Sequence, residues 1–504
     1  MKHSFSLLNQ CWIPVITTED EFCELSLRDM LAEAPRLREI ACDTAIQSAA
    51  ILPVALAILH RVFGPPDLGT WRSLWQARAF DMAKIDEYLD RWRERFDLFH
   101  EDRPFMQMPD ARVDPKSLIH LVHPMGNTGT LFSHVTDGAG VALSPAEAAR
   151  LLLAACYFRT AGLGPSIDKR RVNFKDSAFA RGVIFWAHGD TLFQTLLLNL
   201  LQYPDDQTMR HTGRDAPAWE MNDPFERRET PFGYLDYLTW SNNRVHLIPE
   251  ESADGVVVRK AVLVPAINMS SDVRSPQRRH VQREKKGEIS SPFLYFNTDK
   301  ALWRDYDSLL KSETRVTFPP AVVEWLADLK GGYLEEKHPV QLMATGMLAD
   351  QAKPVFYRQE IMPLPLTLLR NEDFEHAVRG SLALAEEVAV KLRIALNMLA
   401  EQVLQRGAAG KPDNKDRNSL VKQWNARERY WSALEPQFWC FIESLVIDSD
   451  AATHDWAADL REQALGALQH AATLAGEGPW ALRGEIDADS YLRFQLNELL
   501  NGEA

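Results

Sequence analysis

The stretch SLALAEEVAVKLRIALNMLAEQVL, residues 381–404, decides the architecture of the C-terminal part of the chain. Its apolar side chains recur at alternating spacings of three and four, the pattern of the seam of a helix bundle. Further helices are predicted at about 417–447, 452–475 and 488–501, separated by the turn-rich GAAGKPDNKD and GEGPW. We therefore predict a four-helix bundle over residues 366–504. The seam positions are Leu382, Ala385, Ala389, Leu392, Leu396, Leu399 and Val403.

The chain before this stretch mixes helical and strand patterns. SLWQARAFDMAKIDEYLDRWRERFDLF, residues 73–99, has the apolar spacing of an amphipathic helix. Four segments are rich in β-branched and aromatic residues and predict strands: ARGVIFWAHG (180–189), GYLDYLTWSNNRVHLIP (233–249), GVVVRKAVLVPAI (255–267) and SPFLYFN (291–297). The predicted class is α+β, with a large mixed α/β domain over residues 1–365 followed by the bundle.

Composition limits the classes of function. The 504 residues carry 70 acidic and 56 basic side chains, a formal net charge of −14, which argues against a protein that coats nucleic acid indiscriminately. The apolar runs LLLAACYF and ILPVALAIL fall short of the roughly 18 residues of a membrane span. We expect a soluble, cytoplasmic protein. The cysteines Cys11, Cys23, Cys42, Cys156 and Cys440 are widely spread and form no C-x-x-C pair, which favours a reducing compartment.

The sequence lacks the common catalytic motifs. It contains no H-E-x-x-H, no G-x-S-x-G and no G-x-x-x-x-G-K-[ST]. We predict no catalytic residues, no metal site and no cofactor. Single histidines and carboxylates are plentiful, so an enzyme with a dispersed site stays open as an alternative.

One segment departs from the acidic average. RSPQRRHVQREKK, residues 274–286, has six cationic side chains around a single Glu284. Such a run is often a solvated loop, and it is also the footprint of a site for a phosphate backbone. The residues themselves leave both interpretations open.

Several short segments, in their order along the chain, resemble the CasA family, the large subunit of the type I-E CRISPR complex called Cascade. They are LLNQCWIPV (7–15), RFDLFHEDRPFMQ (95–107), GNTGTLF (126–132), ARGVIFWAHGDTLFQTLLLNLL (180–201), DYLTWSNNRVHL (236–247) and KKGEISSPFLYFN (285–297). The resemblance covers essentially the whole chain, and the helical bundle follows these segments as it does in the family.

The resemblance implies a DNA-recognition subunit without catalysis. Such a subunit reads the short PAM in double-stranded target DNA, promotes local unwinding and R-loop formation, and holds the non-target strand. The implied partners are the CRISPR RNA, the backbone, handle-binding and small subunits of Cascade, target DNA and a helicase–nuclease. Base pairing with the guide carries sequence recognition, so the protein needs to read only a short duplex element.

A turn in GMLADQAKPVF, residues 346–356, matches a family β-hairpin that inserts a glutamine wedge beneath the PAM. Gln351 matches the wedge, and Ala352 follows it. Asp350 stands where the best-known member has asparagine, and a carboxylate accepts hydrogen bonds but cannot donate them. Inserting a side chain into the stack costs a few kcal/mol per step, which is the implied route to unpairing.

Two further elements match PAM contacts of the family. Gly162 and Gly164 in AGLGPS match a glycine loop that approaches the PAM from the minor groove. Lys260, with Arg259 beside it, matches a lysine that contacts the PAM duplex. Some members have a cysteine zinc cluster before this strand; PEESADGVVV (249–258) replaces it here, so no zinc is expected.

The remaining matches concern the guide and the DNA backbone. Asn127, Thr128 and the aromatic anchor Phe132 lie in a loop that docks on the guide RNA and neighbouring subunits in the family. In the basic segment, Lys285 and Lys286 match family lysines, and Arg278 and Arg279 join them as predicted contacts to DNA beside the PAM. The bundle loop is predicted to guide the non-target strand through Lys411, Lys415, Arg417 and Lys422.

A protein–protein scaffold without DNA recognition is the main alternative. It predicts that neutralising the basic segment leaves DNA affinity unchanged, whereas the recognition hypothesis predicts a loss that depends on salt.

Overall fold

The computed structural model describes most of the chain. The described residues are 3–64, 67–118, 121, 141–167, 169–202, 209, 212–253, 255–281, 283–285, 288–290, 293–310, 317–335, 337–350, 353–407 and 410–501. The chain divides into two compact units. One comprises Met1–Leu302 and Lys311–Leu366, and the other comprises Trp303–Leu310 and Thr367–Ala504.

The N-terminal unit alternates short strands and helices. Its strands are β1 (Ile13–Thr17), β2 (Phe22–Leu25), β3 (Leu37–Ile40), β4 (Lys116–Ser117), β5 (Ser166–Ile167), β6 (Arg170–Arg171), β7 (Gly182–His188), β8 (Asn243–Ser252), β9 (Gly255–Pro265), β10 (His280–Val281), β11 (Arg283–Lys285), β12 (Glu288–Ser290), β13 (Thr317–Phe318), β14 (Gln341–Asp350) and β15 (Lys353–Pro363). Its helices are α1 (Leu27–Glu33), α2 (Ala45–Phe63), α3 (Leu68–Ala77), α4 (Met82–Arg91), α5 (Pro145–Phe158), α6 (Leu192–Leu198), α7 (Tyr234–Leu238) and α8 (Ala321–Leu329).

The described strands of this unit form several small sheets. Three have three strands, in the orders β2-β1-β3, β15-β14-β7 and β4-β9-β8. Three more are two-stranded: β5-β6, β11-β12 and β10-β13. Every pair in them is antiparallel. Antiparallel strands can be joined by a short turn. Strands β8 and β9 are an example, since their last pair, Ser252 and Gly255, is separated by only two residues.

Helix α2 is at the centre of this unit's core. It contacts α4, α5, α6 and α7 and the strands β14 and β15. Thr44 caps its start by accepting a hydrogen bond from the Gln47 amide, and Gly64 ends it with a φ of +75°. Among the described residues, α2 is also the one helix whose length and composition would let it cross a bilayer. Of its most apolar window, 72% is buried inside the protein, which is typical of a core helix.

The C-terminal unit contains α9 (Glu372–Gln405), α10 (Asn414–Gln423), α11 (Ala426–Leu445), α12 (Ser449–Ala475) and α13 (Pro479–Asn501). The long helices α9, α11, α12 and α13 pack against one another, and the short α10 packs on α9. Six of the seven predicted seam positions of α9 are buried; Val403 is half-buried. An N-terminal α/β region followed by C-terminal helices confirms the predicted fold class.

Some predicted elements were wrong in detail. The segment predicted as one helix over 417–447 breaks after Trp424, because Asn425 takes a left-handed φ of +51°. The last helix begins at Pro479 rather than 488, since proline suits the first turn of a helix. In 233–249 the first part is α7, and the strand begins only at Asn243. Described residues 293–297 form isolated bridges instead of a strand.

Candidate nucleic-acid interface

The first residue of β7, Gly182, marks the place where the predicted DNA-contacting segments come together. It has a φ of +80°, and a Cβ atom there would lie 2.3 Å from Cδ2 of Phe293. Only glycine fits this conformation and this close approach. One residue on, the Val183 amide donates to the Leu294 carbonyl at 2.8 Å, and the Phe185 amide donates to the Gln277 carbonyl at 2.8 Å. The start of the basic segment, at Gln277, and the chain that follows it, at Leu294, are thereby attached to β7.

The hairpin of β14 and β15 extends beyond the same end of β7. Strand β14 pairs with β7 from Gln341 to Met347, which lies opposite Gly182. Pairing with β15 continues to Asp350 and Lys353, after a bulge at Leu348 and Ala349. The three residues after Met347 therefore project about 10 Å past the edge of β7.

This register confirms the predicted hairpin around the wedge position. Gln351 and Ala352 themselves lie outside the described residues, as does the side chain of Asp350. Their roles at a PAM stay predictions. In the sequence, these two residues come between Asp350 and Lys353, the last pair of the described hairpin.

The glycine loop is attached at its base to the start of β7. Gly162 and Phe174 exchange backbone hydrogen bonds of 3.3 and 2.9 Å. Below them, Asp176 accepts from the Ala161 amide at 2.7 Å and pairs with Nε of Arg181 at 2.8 Å. Arg181 directly precedes Gly182, so one ion pair joins the loop to the place where the hairpin emerges.

The two glycines of the loop differ in what surrounds them. A Cβ atom on Gly164 would lie 1.7 Å from the carbonyl oxygen of Val172 and 3.2 Å from Cγ of Pro265. A Cβ atom on Gly162 would meet nothing within 4 Å. Gly164 is therefore required for the loop to close on itself, whereas Gly162 is exposed with open space beside its Cα.

The predicted lysine of the PAM duplex is on the sheet next to this loop. Lys260 in β9 is exposed, and its backbone pairs with Ile248 on one side and Ser117 on the other. Pro265, whose ring approaches Gly164, ends the same strand about 17 Å further on. Arg259 is half-buried and pairs with Glu250 at 3.7 Å from Nε to Oε2, so it is less available to a ligand than Lys260.

The basic segment is only partly a surface feature. Arg274 stacks over Phe318, with Cζ 3.8 Å from the ring centroid. Arg279 is half-buried. Strand β11 ends at Lys285, whose backbone pairs with Glu288, but the Lys285 side chain and all of Lys286 lie outside the described residues.

The prediction that Arg278 contacts DNA beside the PAM is wrong. It is 6% exposed, and its Cζ lies 4.1 Å from the ring centroid of Phe293. Burial lowers the pKa of Arg278 to about 10, so the side chain is still a cation at neutral pH. Because it packs on Phe293 in the interior, Arg278 is not placed to contact a DNA backbone.

The residues predicted for the non-target strand lie just before α10 and along it. Lys411, Lys415 and Lys422 are exposed, and α10 has no buried residue. Arg417 is half-buried; it donates to Oδ1 of Asn414 at 2.8 Å and pairs with Glu401 at 3.8 Å. The three lysines are therefore the accessible cations of this set. Asn127, Thr128 and Phe132 lie outside the described residues.

Four exposed cations on the glycine loop were not predicted from the sequence. Lys169, Arg170, Arg171 and Lys175 are exposed in and beside the β5–β6 hairpin. The signal for them in the sequence is the cationic run KRRVNFK, residues 169–175. Within the described residues, no group of three or more histidine, cysteine, aspartate or glutamate side chains is arranged to hold a metal ion.

A cavity of about 910 Å³ lies in the same unit and shares none of the predicted residues. It is lined by residues of α3, the start of α6 and the segment 331–338, among them Arg72, Trp75 and His338. Trp75 meets the His338 ring edge-on, with centroids 5.2 Å apart. The cavity is therefore separate from the segments that meet at Gly182.

The chain is similar over nearly its whole length to proteins of one family. The family described as CRISPR-associated protein Cse1 matches residues 6–472. A curated protein of Thermus thermophilus described as CRISPR-associated protein CasA/Cse1 is 28% identical over 520 residues, covering 98% of this chain and 98% of the relative.

Solved structures agree with this similarity. Cse1 of Thermobifida fusca has a TM-score of 0.85 at 25% identity, covering 99% of this chain and 98% of that one. Cse1 of Acidimicrobium ferrooxidans has a TM-score of 0.83 at 24% identity, covering 99% of both chains. A chain of a structure described as a CRISPR RNA-guided surveillance complex has a TM-score of 0.72 at 21% identity and covers 97% of this chain and 99% of its own length. At 24% and 21% identity, the similarity to the last two structures is evidence of a shared fold alone.

Proposed function

The chain belongs to the CRISPR-associated protein Cse1 family, and from this premise we propose that it is the large subunit of a type I-E CRISPR RNA-guided surveillance complex. In this role it recognises the PAM in double-stranded target DNA and promotes local unwinding and R-loop formation. It then holds the non-target strand and helps to recruit a helicase–nuclease. Its other partners are the CRISPR RNA and the backbone, handle-binding and small subunits. We also propose that it acts in the cytoplasm and is not an enzyme.

The convergence at Gly182 is the observation that carries this proposal. A projecting hairpin, a glycine loop and a basic segment meet at one end of β7. A duplex that contacts the glycine loop is then within reach of the described end of the hairpin, at Asp350 and Lys353. PAM reading and strand separation need such an arrangement, because the wedge must enter the base stack beside the pairs that are read.

The accessible cations support contact with the DNA backbone. Lys260, Lys411, Lys415 and Lys422 are exposed, and in the described residues none of them pairs with a carboxylate. Lys285, Lys286 and Arg279 stay in the proposed interface, whereas Arg278 does not because it is buried. Contacts to phosphate give affinity that does not depend on sequence, and the PAM reader then selects among sites.

Docking of the guide RNA and of other subunits is proposed for the loop that carries Asn127, Thr128 and Phe132. A scaffold role without DNA recognition is the second candidate. Exposed apolar side chains on bundle helices favour protein docking, among them Ile486 at 66% exposure and Phe494 at 61%. Docking of subunits and DNA recognition are compatible in one protein, so a DNA-binding experiment separates the two hypotheses.

The test is binding of a PAM-containing duplex to the guide complex, reconstituted with and without this chain, across a salt series. We expect the chain to confer PAM-dependent binding that weakens steeply as salt rises. Identical binding without it would leave the scaffold role.

A second experiment tests the wedge. A complex containing Gln351→Ala is expected to assemble normally but to unwind the target poorly, measured with a fluorescent base analogue beside the PAM. Equal losses of assembly and unwinding would contradict the wedge role.

A further inference from the structure

The β5–β6 hairpin carries an unpaired cluster of cations. Lys169, Arg170, Arg171 and Lys175 are exposed, and among the described residues none of them makes an ion pair. Some other arginines of this unit are engaged by carboxylates. Arg38 contacts Asp20, and Arg214 pairs with Glu226 at 2.8 Å. In a chain of net charge −14, four neighbouring cations that pair with no carboxylate of the described residues indicate a surface suited to an external anion.

The backbone beneath these cations is held firmly. The Val172 amide donates to the Pro165 carbonyl at 3.1 Å, and Gly162 and Phe174 close the hairpin with two hydrogen bonds. Phe174 is 4% exposed and lies under the guanidinium of Arg159, with Cζ 4.3 Å from the ring centroid. A rigid base lowers the entropy that is lost when the cations bind a ligand.

The strand geometry spreads the charge over both faces of the hairpin. Arg170 and Arg171 are consecutive in β6, opposite Ile167 and Ser166. Successive side chains of a strand point to opposite faces, so one guanidinium lies on each face. A duplex has a row of phosphates on each side of a groove, whereas a single strand has one row. Arginine binds phosphate through a planar fork of donors.

We infer that the β5–β6 hairpin is a phosphate-binding ribbon for duplex DNA, with Arg170 and Arg171 contacting the backbones of opposite strands. Lys169 and Lys175 add charge at its tip and base. This inference rests on the proposed function, since it assigns the hairpin to the same DNA that the glycine loop approaches. It predicts affinity that is independent of sequence and stronger for duplex than for single-stranded DNA.

The experiment compares the complete guide complex containing wild type with one containing Arg170→Gln/Arg171→Gln. Binding to PAM-containing duplex, PAM-lacking duplex and single-stranded DNA is measured from low to high salt. The plot of log affinity against log salt should become shallower by about 1.8 for both duplexes, from about 0.9 per lost phosphate contact. Single-stranded DNA, which has one row of phosphates, should lose a slope of about 0.7.

The matched control is Arg93→Gln/Arg103→Gln, which removes two exposed cations of the same unit outside the candidate interface. Its slopes should equal those of wild type. Arg170→Lys/Arg171→Lys keeps the charge and should retain most of the slope. Equal slopes for the hairpin variant and wild type, or equal losses in both glutamine variants, would overturn the inference.

Failure of the proposed function would look different. In that case, wild type confers no PAM preference at any salt concentration, whatever the hairpin variants do. If the slope still falls in Arg170→Gln/Arg171→Gln, the hairpin binds duplex in a protein that does not read a PAM, and the inference stands without the proposed function.

Discussion

At the scale of single residues, close approach of backbone separates positions that look alike in the sequence. Gly162 and Gly164 are two residues apart in one loop, yet only Gly164 lies against another carbonyl. Lys260 and Arg259 are neighbours in β9, yet only Arg259 is engaged by a carboxylate. Arg278 and Arg279 differ in burial. Each difference comes from a contact that the folded backbone makes with another segment of the chain.

The glycine pair provides a prediction at this scale. Gly164→Ala should disrupt the loop, because its methyl group would overlap the Val172 carbonyl, at a local cost of about 1–3 kcal/mol. Gly162→Ala is the matched control, since its methyl group meets nothing. Hydrogen exchange at the Phe174 amide, which bonds to the Gly162 carbonyl, should accelerate only in Gly164→Ala. Similar exchange rates in both variants would contradict the assignment.

At the scale of elements, the segment Trp303–Leu310 belongs to the C-terminal unit although it precedes the bundle by some sixty residues. The ring of Trp303 meets Phe438 at 4.9 Å and Trp456 at 6.5 Å between centroids. Beside it, the guanidinium of Arg304 lies 3.5 Å from the ring centroid of Trp431. The bundle core is therefore completed by a segment that its heptad pattern does not reveal.

Removing this ring should destabilise the bundle. We expect Trp303→Ala to lower the free energy of unfolding of the C-terminal helices by about 3–5 kcal/mol, because a fully buried aromatic side chain leaves a cavity. Ile447→Ala is the control, since Ile447 is 85% exposed and its loss should change little. Denaturant unfolding followed by helical circular dichroism measures both. A small effect in both variants would show that the segment is dispensable.

At the scale of the whole molecule, the net charge limits where nucleic acid can bind. The chain is acidic overall, so its contacts with nucleic acid are confined to local groups of cations.

The core helix α2 contains a buried histidine. His60 is 1% exposed and meets Tyr234 edge-on, with ring centroids 5.3 Å apart. Burial lowers the pKa of His60 to about 3. Folding is thereby linked to pH through the core.

The sign of this linkage follows from the two states. The unfolded chain has a histidine pKa near 6.5, so between about pH 6.5 and 3 it binds a proton that folded His60 does not. Stability should therefore fall as the pH drops through this window. In His60→Leu, the melting temperature should depend less on pH below 6.5. His454→Gln, at an exposed position of α12, should keep the dependence of wild type. The same pH dependence in all three proteins would contradict the assignment.

The sequence by itself determined the fold class, the seam of α9 and the hairpin around Gln351. These depend on local periodicity, on turn residues and on the order of short motifs, all of which are present in a linear chain. The break at Asn425 and the start of α13 at Pro479 were not predicted, because apolar periodicity does not locate a helix end by itself.

The tertiary structure alone decided which predicted residues are accessible and which segments meet. It buried Arg278 against Phe293, left the cations of the β5–β6 hairpin exposed, and joined the glycine loop, the basic segment and the long hairpin at Gly182. Burial and close approach depend on contacts between residues far apart in the chain. A charge pattern in the sequence is the same whether a side chain ends on an aromatic ring or in solvent, so only the folded chain separates the two.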